Sequence, residues 1–312
     1  MYVFDGHCDT ISRAARDGSS IRKTGGHLDL ERMGSYDGWA QLFAIFAPMG
    51  EEKRSMWDIF MKEANTFKKE MEANADLVVQ CRTAGEIEAA WKAGKSAAIL
   101  SVEGAELLDC SLENLHTAYD LGVRSVNLTW NFVNDVAGTN LRGADLGLTD
   151  YGKTFVKEMQ RLGVLVDVSH LSDPGFWDVV ELSRAAGVPF FASHSNSRAI
   201  CDHTRNLTDE MFLALHKAGG VAGLNMCANF VGEDPDMDTL IAHIEHWCAL
   251  GGADAVAMGG DWDGIREAPK GIDGIQNVED LANRLLGMNY SQDVVDGILY
   301  KNFLRVFRTV CG

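Results

Sequence analysis

Short apolar segments alternate with longer amphipathic segments along almost the whole chain. The apolar segments have lengths typical of β-strands and cover residues 2–4, 40–46, 97–102, 123–130, 164–169, 189–193, 221–226 and 255–258. Near-continuous apolar strands that alternate with helices indicate a parallel sheet buried by those helices. Eight such units in 312 residues predict an α/β fold, a closed (β/α)8 barrel of the TIM type, with residues 1–312 forming a single domain.

The segments between the predicted strands show the three- and four-residue spacing of amphipathic helices. Residues 57–71, for example, place Phe60, Ala64 and Phe67 on one face and Lys and Glu between them. That periodicity predicts packing against a core. An open doubly wound sheet is the alternative fold. It usually has a Gly-rich phosphate turn after the first strand, and residues 5–9 lack that pattern.

Side chains that can bind a metal follow five of the eight predicted strands. They are His7 and Asp9 after the first strand, Glu103 after the third, His170 after the fifth, His194 after the sixth and Asp261 after the eighth. The carboxyl ends of barrel strands converge on one mouth, where residues distant in sequence meet. Isolated core histidines would not all be expected at strand ends, so we predict that these residues form one site.

Five of these residues are candidate metal ligands, which is too many for one tetrahedral zinc ion and suits two metals that share a carboxylate. Glu103 is the natural bridge because a carboxylate has two oxygens. We expect His7 and Asp9 to hold the first metal and His170 and His194 to hold the second. A hydroxide between the ions would be the nucleophile.

Two other residues have expected roles in catalysis and substrate binding. Asp261 would be the general base that takes a proton from the nucleophile and passes it to the leaving group. Arg205 follows His194 by eleven residues and could bind a substrate carboxylate with its guanidinium group, although a surface ion pair is the commoner role for an arginine. The remaining histidines, including His243 and His246, do not follow strands and are predicted to lie at the surface.

Charge and cysteine content exclude several partners. Acidic residues outnumber basic ones 45 to 28 and give a net charge of -17, which repels nucleic acid and anionic membranes. The seven cysteines are scattered without a Cys-x-x-Cys pair, so neither a disulfide framework nor a thiolate zinc site is expected. The chain shows no signal-peptide pattern and no run of 18 apolar residues, and we expect it to be cytoplasmic.

A specific set of motifs covers the chain from its first strand to its last few residues. The segments are residues 4–9 (FDGHCD), 102–104 (VEG), 163–170 (GVLVDVSH), 193–198 (SHSNSR), 205–207 (RNL), 259–264 (GGDWDG) and 302–306 (NFLRV). Together they resemble the membrane dipeptidase (renal dipeptidase) family of the amidohydrolase superfamily. The resemblance implies a (β/α)8 barrel that carries two zinc ions and hydrolyses dipeptides, often with tolerance for a D-residue at the C-terminal position.

The resemblance also implies roles for individual residues. Five of them correspond to metal ligands, with Glu103 as the bridge: His7, Asp9, Glu103, His170 and His194. Asp261 corresponds to the proton shuttle and Arg205 to a contact with the substrate carboxylate. Many members have a substrate-binding histidine after Leu-Thr where this chain has Trp130, and an indole donates one hydrogen bond and carries no charge. Trp130 is therefore expected to change that substrate contact.

Two other functions are alternatives. Other amidohydrolases act on lactones or cyclic amides or are deaminases; many begin with His-x-His and bridge their metals with a carbamylated lysine after the fourth strand. This chain has His-x-Asp, and residues 127–130 contain no lysine. A catalytically inactive barrel that binds peptides would be signalled by a missing ligand or base, and none is missing. A homodimer is compatible with the sequence, which contains no feature that decides it.

Overall fold

The computed structural model describes residues 1–48 and 55–312, which form eight strands and thirteen α-helices. The strands are β1 (Tyr2–Cys8), β2 (Gly38–Ile45), β3 (Val78–Gln80), β4 (Ser96–Glu103), β5 (Val123–Asn127), β6 (Leu165–Asp167), β7 (Ala222–Leu224) and β8 (Val256–Met258). The helices are α1 (Thr10–Asp17), α2 (Leu30–Met33), α3 (Met56–Ala73), α4 (Ala84–Lys92), α5 (Leu112–Leu121), α6 (Asp150–Leu162), α7 (Asp173–Ala186), α8 (Asp209–Lys217), α9 (Ala228–Val231), α10 (Met237–Ala249), α11 (Val278–Gly287), α12 (Gln292–Asp296) and α13 (Asn302–Cys311).

Seven of the strands pair side by side in the order β6-β5-β4-β2-β1-β8-β7, and their pairings are parallel. The eighth position of the ring is taken by residues 191–192. Phe191 forms a parallel bridge with Asp167 of β6, and Ala192 forms one with Ala222 of β7. The ring therefore closes, and the predicted (β/α)8 barrel is confirmed.

The sixth predicted strand, residues 189–193, is not a regular strand. Its backbone hydrogen bonds go alternately to the segments on its two sides: Phe191 N donates to Val166 O (3.1 Å), and Ala192 N donates to Val221 O (3.0 Å). At its end the Asp167 side chain replaces the strand partner, because Oδ1 accepts from Ser193 N at 3.0 Å. On the other side the pairing with β7 continues past His194, because Ser195 N donates to the Gly223 carbonyl oxygen at 2.9 Å.

Strand β3 was not predicted from the sequence. It has three residues and pairs with Ser96–Ala98 at the start of β4, while β5 pairs with the later residues 100–103 of the same strand. It lies outside the ring. A three-residue strand with Val79 40% exposed offers too short an apolar pattern to be recognised.

The amino-terminal end of the barrel is filled by aromatic side chains. Phe303 of α13 stacks on Phe4 of β1, with ring centroids 4.3 Å apart, and also contacts Phe191 at 5.2 Å. These rings belong to a buried cluster to which several barrel strands contribute. This end of the barrel is therefore closed by packed side chains, and a ligand would enter at the carboxyl end. Across the described residues, none of the helices has the length and apolar character needed to cross a bilayer.

Glu63 of α3 is a buried carboxyl group behind the carboxyl ends of the strands. Ser12 Oγ donates to its Oε2 (2.5 Å) and accepts from Phe46 N (2.8 Å). Burial raises the pKa of Glu63 from 4.5 to about 7, although the Ser12 hydrogen bond opposes that shift. The folded protein therefore holds a proton that the unfolded chain loses between these two pKa values, and stability falls as the pH rises through this range.

We expect Glu63→Gln to raise the melting temperature at pH 8 and to leave it nearly unchanged at pH 4. The gain at pH 8 is at most about 3 kcal/mol, because the neutral amide avoids the burial of a charge. Thermal unfolding followed by circular dichroism at both pH values measures it. The matched control is Glu72→Gln on the exposed face of the same helix, which should shift neither value. An equal shift at both pH values would contradict the assignment.

Candidate metal centre

The structure brings the five predicted ligands together at the carboxyl end of the barrel. His7 lies in β1, Asp9 follows it, and Glu103 is the last residue of β4. His170 and His194 lie on irregular backbone, three residues after β6 and two residues after the bridge at Ala192. All five are buried, with at most 7% of each residue exposed.

Glu103 lies between two separate groups of donor atoms. On one side its Oε2 is 3.6 Å from His7 Nε2, which is 3.7 Å from Asp9 Oδ1. On the other side its Oε1 is 3.0 Å from His170 Nε2 and 3.6 Å from His194 Nε2. Each group offers three donor atoms within 4.8 Å of one another. The two oxygens of one carboxylate therefore face two different places where a cation fits.

Two buried atoms in this cluster have no hydrogen-bond partner among the described residues: His7 Nε2 and Asp9 Oδ1. A buried polar atom without a partner is unfavourable, and most such atoms in proteins are bonded. A cation that both atoms coordinate would satisfy them. The residues present thus fit a metal ion on this side of Glu103.

The electrostatics of the cluster also favour a cation. Burial, together with the charges of Asp9 and Asp261, raises the pKa of Glu103 from 4.5 to about 7, although His7 opposes that shift. Burial likewise holds the pKa values of His170 and His194 well below 6.5, helped by Arg205 and His7. These two imidazoles are therefore neutral near pH 7, the form that binds metals.

Each of these neutral imidazoles has a polar partner at its second nitrogen. His170 Nδ1 lies 3.0 Å from Asn131 Oδ1, and His194 Nδ1 lies 2.6 Å from Ser193 Oγ. An imidazole that binds a metal through Nε2 carries its proton on Nδ1 and donates it to such a partner, which fixes the orientation of the ring.

Two of the predicted site residues have left-handed backbone conformations. His170 has φ of 71° and Asp261 has φ of 57°, values that are uncommon outside glycine. Such conformations are concentrated at functional sites, where the surrounding structure compensates for the strain. Here they occur where the chain leaves strand geometry and enters the barrel mouth.

Asp261 and Arg205 lie beside the candidate ligands. Asp261 Oδ2 accepts from Asn225 Nδ2 at 3.1 Å, and burial raises the pKa of Asp261 although His7 and Arg205 oppose that shift. Arg205 is 6% exposed, with Nη1 3.4 Å from Ser195 Oγ and Nη2 3.3 Å from the His194 carbonyl oxygen. These oxygens are the hydrogen-bond partners of its guanidinium group in the described part of the chain, and no carboxylate is among them. The surface ion pair considered for Arg205 is therefore excluded.

A cavity of about 540 Å³ opens above this cluster. Its lining includes Arg205 and Asp261 together with the aromatic side chains of Phe46, Trp130 and Phe230. Arg205 Cζ lies 5.3 Å from the centre of the Phe230 ring. A buried cation without an acidic partner, in a cavity beside two candidate metal positions, suits a ligand with a negative charge.

The predicted surface position of His243 is wrong. Its ring is fully buried on α10, where Nδ1 accepts from Ser197 N at 3.1 Å and Nε2 donates to the Val231 carbonyl oxygen at 2.9 Å. Sequence analysis also missed Asn131, Ser193 and Asn225 as neighbours of the site. Asn225 follows β7 directly, so the strand-end criterion could have found it.

Comparison with known proteins identifies the family. The model of the membrane dipeptidase family, peptidase family M19, matches residues 1–311. The chain belongs to this family. It is 32% identical over 266 residues to a Klebsiella pneumoniae protein described as the uncharacterized protein in the pqqA 5′ region, covering 81% of this chain and 96% of that one.

Solved structures of dipeptidases have the same fold. A metallo peptidase from Rhodobacter sphaeroides, liganded with a phosphinate mimic of the dipeptide L-Ala-D-Ala, is 27% identical with a TM-score of 0.88 over 99% of both chains. The M19 metallo peptidase dipeptidase AC is 29% identical with a TM-score of 0.88, covering 100% of this chain and 99% of that one. This member of the family is a metal-dependent dipeptidase, and zinc is the usual metal of such sites.

For this dipeptidase we expect Asn131→Ala to weaken zinc binding by about 10- to 100-fold, because His170 loses the acceptor that orients it. Competition with a chromogenic chelator measures the affinity. Asn131→Asp keeps an acceptor at the same place and should bind zinc at least as tightly as the wild type. Equal zinc affinity in Asn131→Ala and the wild type would remove Asn131 from this role.

Proposed function

We propose that this dipeptidase uses two zinc ions and that Glu103 bridges them. His7 and Asp9 hold one ion, and His170 and His194 hold the other. One observation carries the proposal: the two oxygens of Glu103 face different donor pairs, with Oε2 3.6 Å from His7 Nε2 and Oε1 3.0 Å from His170 Nε2. The unpartnered His7 Nε2 and Asp9 Oδ1 add support on the first side.

Zinc ions held by these residues would supply a hydroxide nucleophile near neutral pH, because a metal lowers the pKa of the water it binds. Asp261 accepts the proton that this nucleophile loses and delivers it to the amine of the leaving residue. Its position next to His7 and His194 supports this role, and the Asn225 amide fixes the orientation of its carboxylate.

Arg205 binds the C-terminal carboxylate of the dipeptide in this proposal. Its burial without an acidic partner and its place in the cavity lining support that contact. The free amine of the substrate lies at the metal pair, so both ends of the dipeptide are recognised. Longer peptides are excluded because their termini cannot reach both groups at once. A D-residue at the C-terminal position is accepted, as the ligand of the Rhodobacter sphaeroides relative suggests.

Hydrolysis by the zinc-loaded protein tests the proposal. L-Ala-L-Ala and L-Ala-D-Ala should be cleaved, while D-Ala-L-Ala, tri-L-alanine and a chelator-treated sample should show at most slow cleavage. A tripeptide cleaved as fast as its parent dipeptide would refute recognition of both termini. No cleavage of any dipeptide by protein that carries two zinc ions would refute the dipeptidase reaction and favour another amidohydrolase substrate.

Amidated substrates test the role of Arg205 separately. Amidation of the C-terminus should lower kcat/KM of the wild type by about 100-fold, since a charge-assisted hydrogen bond to the carboxylate is lost. In Arg205→Met the acid and the amide should be cleaved at similar, low efficiency. Arg161→Met on the exposed face of α6 is the matched control and should keep the discrimination of the wild type.

A further inference from the structure

The cavity above the metal centre has an aromatic wall formed by Phe46 and Trp130. Phe46 follows β2 directly, and Trp130 comes three residues after β5. Their rings meet edge to face, with centroids 4.7 Å apart and an interplanar angle of 61°. Both line the cavity and are half-buried, so each presents apolar surface to a ligand.

Strand order places this wall directly above Glu103. In the ring, β4 lies between β2 and β5, and Glu103 is the last residue of β4. Phe46 and Trp130 therefore meet across the end of the strand that carries the proposed bridge. The Trp130 ring centroid is also 6.4 Å from that of His170. The wall is thus next to the place where the scissile bond would lie.

Arg205 lies across the mouth from Phe46. It is bonded to His194 and Ser195, which follow the bridging residues 191–192 between β6 and β7. Around a ring of eight positions, residues 191–192 and β2 are four positions apart, which is diametrically opposite. A dipeptide whose carboxylate contacts Arg205 and whose scissile carbonyl lies at the metals has its N-terminal residue on the side of Phe46.

We propose that the aromatic wall is the subsite for the side chain of the N-terminal residue, and that it makes the enzyme selective for large apolar residues there. This inference rests on the proposed function. Apart from the candidate metal ligands, the charged residues of the described cavity lining are Arg205, Asp261, Arg266 and Glu267, and none of them follows β2 or β5. An apolar side chain therefore meets apolar partners on this side.

The two rings are held in place by their own neighbours. The Trp130 ring also contacts the Phe132 ring, with centroids 5.7 Å apart. The backbone of Phe46 is fixed because its N–H donates to Ser12 Oγ at 2.8 Å. The wall is therefore a preformed surface, and a preformed surface loses little conformational freedom when a side chain packs on it.

The test compares two dipeptides whose N-terminal residues have the same shape and differ in polarity. The wild type should cleave L-Leu-L-Ala with at least about tenfold higher kcat/KM than L-Asn-L-Ala, the range that apolar pockets give for such differences. Trp130→Ala and Phe46→Ala should each bring the two efficiencies to within about threefold of one another, mainly through a higher KM for L-Leu-L-Ala. The two substitutions lie after different strands, so the test still holds if one of the variants fails to fold.

Selectivity at the C-terminal position is the internal control. The ratio of kcat/KM for L-Ala-L-Leu to that for L-Ala-L-Asn should be the same in both variants as in the wild type. Trp177→Ala, a surface tryptophan on α7 that is 42% exposed, should change neither ratio. Thermal unfolding curves of all the variants show whether each is folded.

Three results would overturn the inference. The first is a wild type that cleaves both N-terminal analogues equally, which leaves the dipeptidase function intact. The second is a pair of folded variants that keep the preference of the wild type. The third is a loss of selectivity at both the N-terminal and the C-terminal residue of the dipeptide, which would mean that the wall is not specific to the N-terminal side chain. Failure of the zinc-loaded protein to cleave any dipeptide is a different result, because it would overturn the proposed function as well.

Discussion

Replacing Asp261 with asparagine is expected to lower kcat for dipeptide hydrolysis by about 10²- to 10⁴-fold while the protein keeps two zinc ions. The amide can still accept the hydrogen bond from Asn225 Nδ2, now 3.1 Å from Asp261 Oδ2, but it cannot take up a proton as a carboxylate does. Steady-state kinetics and metal analysis by mass spectrometry measure the two quantities on the same sample.

One oxygen of Asp261 lies within 4.8 Å of donor atoms of His7 and His194, so Asp261 has the position of a metal ligand as well as that of a general base. The zinc content of the variant distinguishes these two roles. Loss of one zinc ion together with activity would make Asp261 a ligand rather than the base. Full activity would remove it from catalysis. The matched control is Asp263→Asn, since the Asp263 carboxylate faces Thr10 and Arg13 and lies outside the candidate metal groups. It should keep two zinc ions and most of the activity of any folded sample.

Replacing Glu103 with glutamine is expected to reduce the zinc content below two ions per chain and kcat by on the order of 10³-fold or more. The substitution removes a negative charge between the two donor groups, and a neutral amide is a poor bridge between two cations. Zinc content after gel filtration and kcat for L-Ala-L-Ala are the measurements. Retention of two tightly bound zinc ions would contradict the bridging role.

Glu106→Gln is the matched control for this substitution. Glu106 is also buried, its pKa is also raised by burial, and its Oε2 accepts from Asn134 Nδ2 at 2.7 Å. It is absent from the candidate metal groups and from the cavity lining among the described residues. The variant should therefore bind two zinc ions and keep its activity, which separates the loss of a ligand from the loss of a buried carboxyl group.

The positions of the five candidate ligands could be predicted because they depend on one geometric rule. Parallel strands of a barrel bring their carboxyl ends together whatever the connections between them, so Glu103 and His170 meet although 66 residues separate them. The rule holds even where a predicted strand is not regular. Residues 189–193 form only two bridges, yet His194 still reaches Glu103.

The sequence could not decide what depends on packing between distant segments. Arg205 lies on irregular backbone, and its burial results from its contacts with His194 and Ser195, which no local pattern encodes. His243 lies on the buried face of α10, between Leu240 and Trp247, and its ring bonds to the backbone of Ser197 and Val231. Local periodicity does not reveal such partners.

The aromatic wall was not identified from the sequence. Phe46 and Trp130 are 84 residues apart, and they meet because β2 and β5 lie on either side of β4. The predicted strands already had this order, because β3, which was not predicted, lies outside the ring. Strand order does not give the directions of side chains beyond the strand ends, and the contact between these two rings depends on those directions.

The most direct test of the account is a zinc titration of the metal-free protein with L-Ala-L-Ala hydrolysis as the readout. Activity should be absent without metal and should rise until two zinc ions are bound per chain. The reason is that there are two binding groups, which share Glu103: one contains His7 and Asp9, and the other contains His170 and His194. Full activity at one zinc ion per chain, or hydrolysis that continues without metal, would contradict the proposed binuclear centre.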